Sequence, residues 1–172
     1  MGFDLNLPLP IHLSIHFLMA VLSGLAVGLY FRKNVDWKIG LLAGVLGGFL
    51  IDLDHVLEYF FVFGLTFNIR HFIEGREFLL SDKIRLVFHA HEYFPLLVLS
   101  AYLTRHKKSL SVFLLALGFA GFVHLVSDSF INNYPLKNYS IIYRASKGFS
   151  APALLSPAQY QNNLELKAEL GL

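Results

Sequence analysis

The chain has 172 residues, 55% of them hydrophobic and only 15% charged, with a mean hydropathy of +0.56. A soluble domain of this length is not so apolar, so a membrane protein is expected, with the lipid bilayer as its first partner. The small formal charge of +2 leaves no footprint for nucleic acid, and the absence of cysteine excludes disulfides, thiolate metal sites and a cysteine nucleophile.

Residues 1–10 lack the basic stretch and small-residue cleavage site of a signal peptide, so the first span is expected to be retained. Four apolar runs follow at 11–31, 39–64, 84–104 and 110–131, each about 20 to 26 residues and long enough to cross a bilayer as a helix. The predicted fold class is therefore all-α. It is a polytopic membrane protein with four transmembrane helices in a compact bundle (domain 1–135) and a polar C-terminal tail (136–172). Gly24 and Gly28 in the first run, and Gly40, Gly44 and Gly48 in the second, have the small-xxx-small spacing that lets transmembrane helices approach closely. The connections at 32–38 and 105–109 carry Arg32, Lys33, Lys38, Arg105, Lys107 and Lys108, as expected of cytoplasmic loops.

The middle loop, 65–83, balances Arg70, Arg76 and Lys83 against Glu74, Glu77 and Asp82, and 70–80 reads as a short amphipathic helix at the interface. Pro95 is expected to kink the third helix and release the carbonyl of His91. His71 and His106 fall in polar loops and are read as solvated. In the tail, Ser156 and Pro157 predict the N-cap and first turn of a surface helix ending near Leu170. Arg144 and Lys147 are read as ordinary tail charges, or as a phosphate grip if the tail folds over the outer face.

Against this apolar background stand Asp52, Asp54, Glu58, Glu92 and Asp128, together with His12, His16, His55, His89, His91 and His124. Buried ionised acids need a counter-charge, and bound metal, protons or imidazolium is expected to supply it here rather than lysine or arginine. Histidine with carboxylate is the nitrogen and oxygen ligand set of zinc or another first-row metal. Alternating helix directions put all these residues in the outer half of the membrane or near its midplane. Helical spacing puts His12 with His16, Asp52 with His55, His89 with Glu92, and His124 with Asp128 on shared faces. Asp54 diverges from Asp52 on a regular helix, which leaves it to support a ligand, to bind a second metal, or to mark local unwinding. His91 needs the Pro95 distortion to join the others.

The metal-ligand expectation is thus His16, Asp52, Asp54, His55, His89, His91, His124 and Asp128 around one or two divalent ions, zinc first and manganese second. Glu92 or Asp54 is expected to take the proton in catalysis. Stretches such as 20–30 and 97–102, with no ionisable residue except the tyrosines, give an ion no path onward, which ranks a one-sided enzyme site above two rivals. These are a divalent metal or proton transporter, and a non-catalytic protein stapled by a structural metal.

The motifs His16, Gly47-Gly48-Phe49-Leu50-Ile51-Asp52-Leu53-Asp54-His55, His89-Ala90-His91-Glu92 and His124-Leu125-Val126-Ser127-Asp128 resemble those of the bacterial inner-membrane metal-dependent hydrolases. The resemblance covers about 11–135 and not the tail. Its third motif departs, with H-A-H-E where the family usually has H-R-G-x-x-H-S. That family is thought akin to zinc-dependent phospholipases C. The resemblance implies an inner-membrane location and a lipid-like phosphoester or ester substrate cut by metal-activated water, at a site facing the outer side.

Overall fold

The computed structural model describes residues 8–172, so the reading of residues 1–7 falls outside the described residues. Ten α-helices follow in order among them, beginning with α1 (Leu9–Tyr30), α2 (Trp37–Leu50), α3 (Leu53–Phe63), α4 (Ile69–Ile73) and α5 (Arg76–Ser81). Next come α6 (Tyr93–Leu103), α7 (Lys108–Ile131), a 3-10 turn at Leu136–Tyr139, α8 (Ile141–Ser146), α9 (Ala151–Leu154) and α10 (Pro157–Glu169). No strand forms among the described residues, and one isolated bridge joins Lys83 to Ser150. The chain divides into two compact units: Met1–Ile51 with Ala90–Leu136, and Asp52–His89 with Lys137–Leu172. The C-terminal stretch expected as a separate tail is therefore one half of the second unit.

Among the described residues, three stretches are long and apolar enough to cross a membrane: Pro10–Tyr30, Trp37–Phe63 and Lys108–Ile131. The third apolar run of the sequence behaves differently. Only its second half is helical, and α6 with its 11 residues reaches about 16 Å, roughly half of a hydrocarbon core. Pro95 is the third residue of α6, in the first turn where a missing N–H costs nothing, so it starts the helix instead of kinking it. Upstream, Leu86 has a φ of +33°, which breaks any helix, and the Ile84 N–H donates to the Phe149 carbonyl at 2.8 Å.

In the first unit α1 packs antiparallel on α2 and on α7, α6 packs antiparallel on α7, and α2 runs parallel to α7 with Gly47 against the Leu117 backbone. Glycine lets α1 and α2 touch backbone to backbone: a Cβ added to Gly24 would lie 2.7 Å from the carbonyl oxygen of Gly40. His12 and His16 on α1 meet Asp128 and His124 on α7, a descending register that makes this pair antiparallel. On α6 and α7, Phe94 stacks on Phe122 at 4.9 Å, and Ser111 donates to the Ala101 carbonyl at 2.8 Å. The basic connections at 32–38 and 105–109 consequently share one end of this unit, and the histidines share the other.

The second unit is built around α3. The α2 helix ends at Leu50, a turn occupies Ile51 and Asp52, and α3 starts at Leu53 with Asp52 as its N-cap residue. Helix α5 packs on α3, and the 84–89 segment is pinned by the tail. Ser156 is the N-cap of α10, as expected, and forms a capping box: its hydroxyl accepts from the Gln159 N–H while the Gln159 side chain accepts from the Ser156 N–H.

Candidate metal centres

In the first unit three imidazoles converge on one carboxylate. Nε2 of His12 and of His16 lie 3.2 and 3.0 Å from Oδ1 of Asp128, and Nε2 of His124 lies 3.3 Å from Oδ2. The His16 and His124 rings stack at 3.9 Å between centroids. All but His12 are buried, and Asn132 donates to Asp128 at 3.5 Å. Nδ1 of His16 makes no hydrogen bond, although it is shielded from water. Such an orphaned polar atom costs about 1–3 kcal/mol, and two stacked imidazolium cations would repel. Three rings gathered on one carboxylate suit a divalent cation, which takes the lone pairs of neutral imidazoles and a carboxylate oxygen together. The residues present fit such an ion, and the donor atoms of His12, His16 and Asp128 all lie within 4.8 Å of one another.

In the second unit the donor atoms of Asp52, His55 and His89 also lie within 4.8 Å of one another. His89 Nε2 is 3.5 Å from Asp52 Oδ1, and the His55 and His89 rings meet edge-on at 5.0 Å. Asp54 sits behind them. Its Oδ1 is 2.9 Å from His89 Nδ1, and its Oδ2 accepts from the backbone N–H groups of Phe88 at 2.7 Å and His89 at 2.9 Å. A carboxylate placed this way holds the proton on Nδ1 and turns the Nε2 lone pair toward the other donors, the usual support for a metal-bound histidine. Of the readings left open for Asp54, the geometry favours ligand support, and the interruption at Ile51 and Asp52 supplies the unwinding as well.

The ligands expected from the sequence are thus divided between two units, with His16, His124 and Asp128 in one and Asp52, Asp54, His55 and His89 in the other. His12, outside the expected ligand set, joins the first cluster. Neither His91 nor Glu92 is among the described groups whose donor atoms converge. Both precede α6, and the stacking of Phe94 on Phe122 puts Glu92 level with His124.

Two arginines escaped the sequence reading. Arg85, at the start of the third apolar run, forms an ion pair with the buried Glu58, so that carboxylate is neutralised by arginine and not by metal. Arg144, expected to be a tail charge, is 1% exposed, and its Nη2 donates to the carbonyls of Leu86 at 2.9 Å and His89 at 2.7 Å. It secures the irregular segment that delivers His89. The only sequence signal was local: Arg144 follows the apolar pair Ile141 and Ile142, which is unusual for a solvated charge. Comparison with protein-family models, with curated proteins and with solved structures finds no match to this chain.

Proposed function

We propose that this protein is a membrane-embedded, metal-dependent hydrolase that cleaves a phosphoester or ester bond of a lipid-like substrate. The observation that supports it most is the hold of Asp54 on His89: a carboxylate that fixes the tautomer of a buried histidine beside Asp52 and His55 is arranged for metal ligation. A divalent ion bound in such a set, zinc before manganese, supplies Lewis acidity and acidified water. The chain's own residues do the rest. Asp54 acts as a positioning residue, since both of its oxygens already accept hydrogen bonds. The role of proton acceptor then passes to Glu92, half-buried at the start of α6 and level with His124.

A transporter is the weaker reading because no Asp, Glu, Lys, Arg or His occurs at 17–31, 39–51, 93–104 or 109–123, the stretches between the two ends of the first unit. A path for ions needs polar groups along its length. The proposed location is the bacterial inner membrane, with the basic connections in the cytoplasm and the histidine clusters on the outer side.

Elemental analysis of the purified protein tests the reading. Each cluster is expected to hold one ion, with Asp128→Ala emptying the first and Asp52→Ala the second, and hydrolysis of a bacterial lipid extract is expected to fall with them. Metal content near zero removes the hypothesis. Saturable zinc uptake into proteoliposomes without lipid turnover would favour the transporter.

A further inference from the structure

We infer that residues 61–73 form a built seat in the membrane interface, a lipid-contacting wedge that continues beyond the last residue of the Trp37–Phe63 span. This inference needs only the membrane reading and stands whether or not the protein is a hydrolase. Its starting point is the row of exposed apolar side chains along this segment. Leu65 is 94% exposed, and Phe61, Ile69 and Ile73 are each at least 60% exposed, so four large apolar side chains recur at every fourth residue on the outside of the unit. In water such a row would be a liability.

The row is rigid, because the opposite side of the same segment is packed and hydrogen-bonded. The Phe67 and Phe72 rings stand 5.2 and 5.8 Å from the buried ring of Tyr59. The Tyr59 hydroxyl accepts from the Asn68 N–H at 3.0 Å, and the Asn68 side chain in turn caps α4 by accepting from the N–H groups of Arg70 and His71. Gly64, at a φ of +66°, supplies the left-handed turn that folds the chain back after α3 in place of letting it run outward. The charges are withdrawn from the apolar row by pairing with one another: Glu74 accepts from Arg70 at 2.8 Å and from Arg76 at 2.6 Å.

The occupant follows from continuity. The apolar row begins on Phe61, inside a stretch apolar enough to lie in hydrocarbon, and the chain returns to helix at Ile69 only five residues after Gly64. A surface that starts in lipid and remains apolar through two more turns is one that stays in lipid, with its depth limited by the charged Arg70 and Glu74. The seat also sets a height for the second metal centre, because α3 carries both: His55 lies six residues from Phe61, about 9 Å along the helix axis.

Tryptophan fluorescence tests the seat directly. The chain has a single tryptophan, Trp37, and no cysteine, so Leu65→Trp and Ile69→Trp in a Trp37→Phe background report only from the wedge. Leu65 touches little of the protein, so its replacement leaves the fold intact even if Ile69→Trp does not. In bilayer vesicles, lipid brominated near the headgroup is expected to quench both reporters more strongly than lipid brominated near the chain end, as for a depth of about 5–10 Å. Acrylamide in the water is expected to quench them little. Emission unchanged by either brominated lipid, with acrylamide quenching equal to that of a free tryptophan analogue, would overturn the seat in favour of an aqueous loop. Absent lipid quenching with ready disulfide dimers of Leu65→Cys would also overturn it, by assigning the face to a second copy of the chain.

Discussion

Single side chains in this protein act through burial. Glu77 on α5 is 1% exposed, and its Oε2 has no hydrogen-bond partner. Burial pushes its pKa from the usual 4.5 to about 7, helped by the nearby Glu58 carboxylate and opposed by its own backbone N–H. The folded protein then keeps a proton that the unfolded chain releases, so stability declines as pH rises from about 4.5 to about 7, by on the order of 3 kcal/mol, and stays level above that. Glu77→Gln is expected to flatten this decline and to leave the protein more stable than the wild type at pH 8, measured by denaturation in detergent. Asp54 works differently, through His89. Asp54→Asn removes the charge that fixes the imidazole and is expected to lower metal affinity at the second-unit cluster about 10–100-fold, read by competition with a zinc chelator. Arg144→Gln is expected to weaken the same cluster and to destabilise the protein by about 2–4 kcal/mol, since hydrogen bonds from a charged donor contribute about 1.5–3 kcal/mol each. Arg144→Lys, which keeps the charge but not the fork, is expected to recover only part of this.

At the scale of elements, close helix contact decides whether the first-unit cluster can form. His12 and His16 reach Asp128 only if α1 lies against its neighbours, and the glycines of α1 and α2 set that distance. A Cβ at Gly44 would run into the backbone of Gly24, so Gly44→Leu cannot be absorbed by a rotamer change. The expected cost is at least about 1–3 kcal/mol, with a lower melting temperature in detergent and loss of the ion bound by the first unit. The irregular 84–92 segment has the opposite logic. A continuous helix there would satisfy its own backbone groups, but the segment gives them to Phe149 and Arg144 and to the Asp54 carboxylate, and in exchange it delivers His89 to Asp52 and His55.

At the scale of the whole chain, charge and hydropathy assign the two ends of the first unit different surroundings. The basic connections are exposed, Arg105 lies over the ring of Tyr102 at 4.3 Å, and Tyr30 and Trp37, at the ends of α1 and α2 that the 32–38 connection joins, are exposed as well. Aromatic rings and cations grouped in this way mark a membrane boundary. Because the chain lacks cysteine, Lys33→Cys and Lys107→Cys can be labelled individually. Both are expected to react with a membrane-impermeant maleimide only after the cells are opened, whereas labelling of intact spheroplasts would invert the proposed orientation.

The sequence alone determined the helical class, the membrane as solvent, the small-residue seam and the residue types that gather at the candidate centres. Each of these is written in local composition or in spacings of three and four residues along one helix. His12 with His16, and His124 with Asp128, were legible for that reason. Tertiary structure alone decided that 84–92 is not helix, that Arg85 neutralises Glu58, that Arg144 is buried, and that Asp54 serves His89 from 35 residues away. Those outcomes depend on hydrogen bonds between segments distant in the chain, and no hydrophobic period records them. An apolar run looks the same whether its backbone bonds to itself or to a buried arginine, and only the folded partner determines which occurs.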